Sequence, residues 1–194
     1  RIFDVVEKDC GQYDTITEVM WVTGAALFIR LADYREVGGL DGHFFAHMEE
    51  IDLCWRLRSR GKKLVCIPQS VVYHVGGATL KKENPRKTFL NFRNNLLMLY
   101  KNLPDKELEH VLFIRGILDR VAALVFYLKK DRANARAVMQ ARREFEDIRY
   151  SFAASRIENM MKSTDEIIPE RTHFSIVMKY YLLGKKHFSQ LKLF

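Results

Sequence analysis

Glu49, Glu50 and Asp52 fall within four residues, with Arg56 one helical turn beyond Asp52. Carboxylates this close repel one another unless positive charge is near, and Arg56, a helix N-terminus or a metal ion could supply it. A carboxylate held in such a cluster can take a proton from a reacting hydroxyl. The plainer alternative is structural. Acids in a first helical turn stabilise it by about 0.3–1 kcal/mol each. An exposed Asp52–Arg56 pair, four residues apart, adds about 0.5 kcal/mol or less. His74 closes an apolar run and reads either as a metal ligand or as a histidine bonded to a backbone carbonyl. His43 and His47 are also four apart, but the His-Glu-x-x-His order of zinc hydrolases is absent, so zinc hydrolysis is set aside.

The elements that must position these groups can be read from spacing. Apolar runs at 2–6, 19–29, 63–67 and 70–75 read as strands, and 33–37 and 49–60 as helices, the second stopped by Gly61. The cluster follows a glycine-rich turn, Gly38-Gly39-Leu40-Asp41-Gly42. Near residue 84 the texture changes. Asn84-Pro85 reads as an N-cap with proline at the first helical position, and a helix then runs to Leu103-Pro104. Further helices are expected at 105–129, 132–162 and 173–190. The expected fold class is therefore α/β giving way to α, divided as 1–83 and 84–194.

The order of motifs in the first part resembles the second half of the catalytic domain of inverting family 2 glycosyltransferases, of GT-A fold. The resemblance is to their rhamnosyltransferase-like branch, which builds bacterial surface polysaccharides. It is carried by Trp21-Val22-Thr23-Gly24-Ala25-Ala26-Leu27-Phe28-Ile29-Arg30, Val37-Gly38-Gly39-Leu40-Asp41, Phe44-Phe45, Glu49-Glu50-x-Asp52-Leu53-x-x-Arg56, Gly61, Pro68 and Val71-Val72-Tyr73-His74. It covers about residues 15–103. Glu-Glu-x-Asp alone would be a weak signal; the order of the whole segment is specific.

The resemblance implies a set of roles. Glu50 is the base that deprotonates the acceptor hydroxyl. Glu stands where the family usually has Asp, and that leaves Glu49 as the alternative base. Asp52 and Arg56 support the pair. Trp21, Thr23 and Gly24 line the acceptor side, where a flat aromatic face suits a sugar ring, although Trp21 could equally be core. His74 is a ligand of the Mg²⁺ or Mn²⁺ that neutralises the diphosphate leaving group. The implied partners are a nucleotide-sugar donor and a saccharide or polyprenyl-linked acceptor.

The family's donor-binding half and its Asp-x-Asp motif have no counterpart here, because no Asp-x-Asp occurs in the 194 residues. The chain is thus expected to be the C-terminal part of a longer enzyme and inactive alone. An open sheet edge could then pair with a second copy.

Composition narrows the alternatives. Cys10, Cys54 and Cys66 are three scattered cysteines without Cys-x-x-Cys spacing, read as reduced thiols in a cytoplasmic setting. The apolar stretch 121–128 is too short to span a bilayer. The net charge of +8 is uneven: residues 1–100 hold 14 Lys and Arg against 12 Asp and Glu, and residues 101–194 hold 18 against 12. The tail mixes Tyr180, Tyr181, Leu182, Leu183 and Phe188 with Lys179, Lys185 and Lys186. That mixture suits a helix lying on an anionic membrane, at the inner face of the plasma membrane, or one packed on its neighbours. No nucleic-acid motif accompanies the basic charge, and nucleic-acid binding is not expected. The competing functional class is a non-catalytic membrane-surface or assembly module.

Overall fold

The computed structural model describes residues 5–74, 84–164, 168–172 and 174–191. β1 (Thr17–Glu18) leads through a 3-10 turn at Gly24–Ala26 to α1 (Leu31–Glu36), and a second 3-10 turn at Gly42–Phe44 leads to α2 (Glu49–Ser59). β2 (Val65–Cys66) follows, and then the helices α3 (Pro85–Asn102), α4 (Asp105–Leu128), α5 (Arg132–Ile148), α6 (Ala153–Met161) and α7 (Ile176–Tyr181). Among the described residues the one sheet is β1 paired antiparallel with β2, Thr17 opposite Cys66 and Glu18 opposite Val65.

The helices start where local chemistry starts them. The Asn84 side chain accepts from the Arg86 N–H at 2.9 Å, and Pro85 occupies the first helical position of α3. Asp131 caps α5 in the same way, accepting from the Asn134 N–H at 3.1 Å. α2 carries its acids in the first turn and Arg56 and Arg58 in the last, the arrangement that complements the helix dipole.

α3 packs on α5, α5 on α4, and α6 on α3. Their core holds Leu96, Leu97, Leu108, Leu112 and Phe145, and it takes in Phe44 and Trp55 from the first part of the chain. A smaller cluster of Val37, Leu53 and Leu57 fixes the inner side of α2 against the glycine turn.

Several expected elements differ. The run at 19–29 is not a strand: Val19 still bonds Leu64 O at 2.9 Å, but the Thr23 hydroxyl then caps the 3-10 turn and diverts the chain. Residues 70–74 form no strand, and residue 75 lies outside the described residues, as do 2–4 of the run at 2–6. At 63–67 only Val65 and Cys66 pair.

The helix expected over 132–162 is broken by a 3-10 turn at Arg149–Phe152. The Ser151 hydroxyl donates to Ile148 O at 2.7 Å there, competing with the helical ladder, and Phe152 turns into the core. The tail helix expected over 173–190 is short. α7 has six residues, and Gly184, at φ 64°, takes the left-handed conformation that ends a helix, with the Lys185 N–H returned to Lys179 O. Residues 173 and 192–194 lie outside the described residues.

Candidate functional site

The turn that launches α2 is unusual. Phe45, His47 and Met48 all have positive φ, at 60°, 69° and 73°. Each such non-glycine residue costs about 1–2 kcal/mol, so three in four positions need external support. Asn94 of α3 supplies it. Its fully buried amide nitrogen lies 2.8 Å from the carbonyl oxygens of Phe44, Ala46 and His47. Arg93 adds a bond to His43 O at 3.0 Å while its other arm holds Glu144 at 2.7 Å. The result is a rigid mount with Glu49 and Glu50 as the first two residues of the helix.

Both glutamates are half-buried, and each leaves one carboxyl oxygen out of solvent with no hydrogen-bond partner among the described residues. Burial pushes the Glu50 carboxyl above the ordinary carboxylate range, and the adjacent Glu49 carboxyl adds to the shift. A group shifted in this direction is a stronger proton acceptor once ionised.

The segment carrying the expected acceptor residues meets Glu50 at Gly24. A Cβ placed on Gly24 would lie 3.8 Å from Glu50 Cβ. The Val22 backbone hydrogen-bonds the Cys54 thiol, itself pushed up by burial. Trp21 is 47% exposed, so it is not a core residue, and Thr23 is exposed at the head of its 3-10 turn. The structure thus brings Gly24 against Glu50, within the segment that begins at Trp21. His74 is exposed in the irregular chain after β2.

Asp52 and Arg56 are not the surface pair that their spacing allows. Asp52 is fully buried and Arg56 is 5% exposed. One Asp52 oxygen accepts from Arg56 Nε at 2.9 Å and Lys101 Nζ at 3.1 Å, and the other from Asn102 Nδ2 at 2.8 Å. Arg56 also donates to the carbonyls of Val37 and Gly39, which fastens the glycine turn to α2. Lys101 reaches on to Asp41 at 2.7 Å. Burial alone would raise the Asp41 carboxyl, but the Lys101 ammonium and the His43 N–H outweigh it and hold the pKa at about 2. These groups are saturated by one another and hold the glycine turn, α2 and α3 together, whereas Glu49 and Glu50 each keep a carboxyl oxygen without a partner among the described residues.

Lys101, Asn102, Asn94 and Arg93 were not among the expected site residues. The only signal for them in the sequence is the presence of polar residues on the otherwise apolar period of α3.

The histidines do not form a zinc site. His43 sits in the 3-10 turn with Nδ1 2.8 Å from Asp41, and His47 lies in the positive-φ turn, not on a shared helix face. Burial, and then the Lys87 charge, lower the His47 pKa. Among the described residues no group of three His, Cys, Asp or Glu side chains converges to hold a metal.

Comparison with known proteins agrees with the motif order. The pre-mycofactocin glycosyltransferase of Mycobacterium tuberculosis is 31% identical over 141 residues, covering 67% of this chain and 29% of that protein. The rhamnosyltransferase WbbL of Escherichia coli K12 is 32% identical over 69 residues, covering 36% of this chain and 25% of that protein. The N-acetylglucosaminyl-diphospho-decaprenol L-rhamnosyltransferase of Mycobacterium tuberculosis is 38% identical over 56 residues, covering 29% and 18%. No family model and no solved structure matches. The chain spans less than a third of the length of these curated relatives. Over that span it is a relative of bacterial glycosyltransferases, rhamnosyltransferases among them.

Proposed function

We propose that this chain is the catalytic-base and acceptor side of an inverting family 2 glycosyltransferase, whose GT-A domain is completed by residues outside it. The observation that carries the reading is Glu50: half-buried, raised in pKa beside Glu49, mounted on a strained turn and approached by Gly24 of the segment that begins at Trp21. In the reaction, the acceptor hydroxyl oxygen forms a bond to the anomeric carbon of the donor sugar. Its proton passes to a Glu50 carboxylate oxygen, and the bond from that carbon to the diphosphate breaks on the opposite side, releasing the nucleoside diphosphate. A base whose pKa lies nearer the working pH does this better than an ordinary carboxylate. The exposed face of Trp21 offers a platform for the acceptor sugar.

The donor is a nucleotide diphosphate sugar. The acceptor is a saccharide, carried on a polyprenyl lipid as in the decaprenol-linked substrate named for one relative. Phe28, Val71 and Tyr73, 90%, 68% and 96% exposed, are large side chains in the segments that flank the β1–β2 pair. Their exposure supports a larger sheet continuing there. A Mg²⁺ or Mn²⁺ ion bound with His74 as one ligand would neutralise the departing diphosphate.

The test is sugar transfer by the intact enzyme from a nucleotide sugar to a lipid-linked saccharide. Trp21→Ala is expected to raise the acceptor KM about tenfold, the order of a lost stacking contact of 1–1.5 kcal/mol, with the donor KM unchanged. An equal rise for both substrates would remove Trp21 from the acceptor side. His74→Ala is expected to raise the Mn²⁺ concentration for half-maximal rate by about tenfold or more. An unchanged requirement would take His74 out of the ligand set. Absence of any sugar transfer would favour the assembly-module reading.

A further inference from the structure

α4 is apolar on two sides. Its inner face, Leu108, Leu112, Gly116, Asp119 and Ala123, is buried against the bundle. The Asp119 there is held by Arg115 at 2.8 Å and Arg142 at 2.9 Å. The opposite face repeats at the same spacing with Phe113, Ile117, Val121, Leu124 and Leu128, all exposed, Phe113 and Leu128 to 70%. A helix apolar all round is normally covered all round. From Phe113 to Leu128 this outer stripe is about 22 Å long at 1.5 Å per residue. The single charge along its exposed side is Arg120. The first two turns of α4 break the pattern, because Asp105, Lys106, Glu109 and His110 are exposed there.

Charge selects the occupant. Immediately after the stripe, residues 129–143 hold six Lys and Arg against one Asp. Arg132, Arg136 and Arg143 of α5 line a concavity of about 1060 Å³ whose other wall is Ala123, Leu124 and Tyr127 of α4. Glu144 and Asp147 stand at the same groove, and Glu144 is engaged by Arg93. An apolar ridge beside an arginine-lined groove matches the acyl and phosphate layers of an anionic bilayer. A second copy docked by a two-fold axis would bring the same cationic belt toward itself.

We propose that the outer face of α4, with the α5 arginines beside it, docks the protein on anionic phospholipid membranes. The membrane element is then the α4–α5 hairpin and not the C-terminal tail, where α7 is only six residues long. The ridge enters the interface without crossing it, and among the described residues no helix is long and apolar enough to span a membrane. This surface is independent of the transferase reading, since binding to vesicles requires neither donor nor acceptor.

The test is co-sedimentation of the intact protein with phosphatidylcholine vesicles containing about a third phosphatidylglycerol. Wild type should bind, weaken steeply with salt, and bind pure phosphatidylcholine at least tenfold less. Ile117→Glu with Leu124→Glu, both at exposed positions, should abolish binding while the far-UV spectrum is unchanged. Arg136→Gln with Arg143→Gln should weaken it about tenfold or more, following the usual contribution of each basic residue near an anionic surface. Leu124→Trp should give blue-shifted emission quenched by brominated lipid. Wild type that ignores anionic vesicles, or glutamate variants that bind as well as wild type, would overturn the proposal. So would a dimer that the glutamate variants dissociate and vesicles leave intact, which would make the ridge a self-association surface. Transfer activity is read separately, so loss of either result leaves the other standing.

Discussion

Glu50→Gln in the intact enzyme is expected to lower kcat for sugar transfer by about 10²–10⁴-fold, the usual worth of a general base, with donor affinity little changed. The amide keeps the shape of the side chain and removes its capacity to accept the proton. Folding should be unaffected, because Glu50 is only half-buried and its replacement relieves the repulsion from Glu49. The control is Glu49→Gln, which separates the two candidates. If Glu50 is the base, removing the Glu49 charge lowers the Glu50 pKa. The acidic limb of the kcat profile then moves to lower pH while the plateau rate is largely kept. If Glu49→Gln abolishes transfer and Glu50→Gln only shifts the profile, the roles are reversed. Full activity of both variants would eliminate the acid–base reading.

Asp52→Asn is expected to destabilise the fold by about 3–5 kcal/mol, because it leaves buried Lys101 and Arg56 short of compensating charge. For a chain of this size that is a melting temperature lower by roughly 10 °C or more. Lys101→Met should cost a similar amount, and the double variant less than the sum of the two, since each change removes the reason for the other. Additivity within about 0.5 kcal/mol would mean that the 3.1 Å Lys101–Asp52 contact contributes little. Acid should act on the same network through Asp41. Its folded pKa of about 2 lies below the ordinary aspartate value of 3.8, so its contribution is complete above about pH 4 and disappears as pH falls through about 2. Asp41→Asn should flatten that part of the stability profile, as followed by urea denaturation at successive pH values.

The candidate site was legible in part. The acids, the stop at Gly61 and the start of α3 at Asn84-Pro85 can be read because each depends on neighbours within one or two turns. Asp52 and Arg56 show the limit of such reading. Their spacing of four says that they can meet, but it is equally compatible with water or with a core. Their partners Lys101 and Asn102 come from about 50 residues away, and the contact makes a weak surface pair into a buried junction. The turn before α2 is a sharper case. Phe45, His47 and Met48 carry no preference for positive φ, and the grip of Asn94 on three carbonyls, with Arg93 on His43 O, holds them there.

The helices tell the same story from the other direction. An uninterrupted helical period over 132–162 contains no glycine or proline, yet the chain breaks at Arg149–Phe152. There Phe152 enters the core, and Arg156 of α6 donates to the Tyr100 and Leu103 carbonyls at the end of α3. In the tail the helix expected over 173–190 ran through Gly184, whose left-handed φ is a property of the folded backbone.

By itself the sequence determined the starts of α2, α3, α4 and α5, the acid pair and the kinship with glycosyltransferases, because these depend on residue identity and order along the chain. Tertiary structure alone decided which charges are buried, which turn is strained and which side of α4 is left bare. Those depend on side chains brought together across tens of residues, and the hydrophobic period of a helix reports that a face is apolar without saying what will cover it.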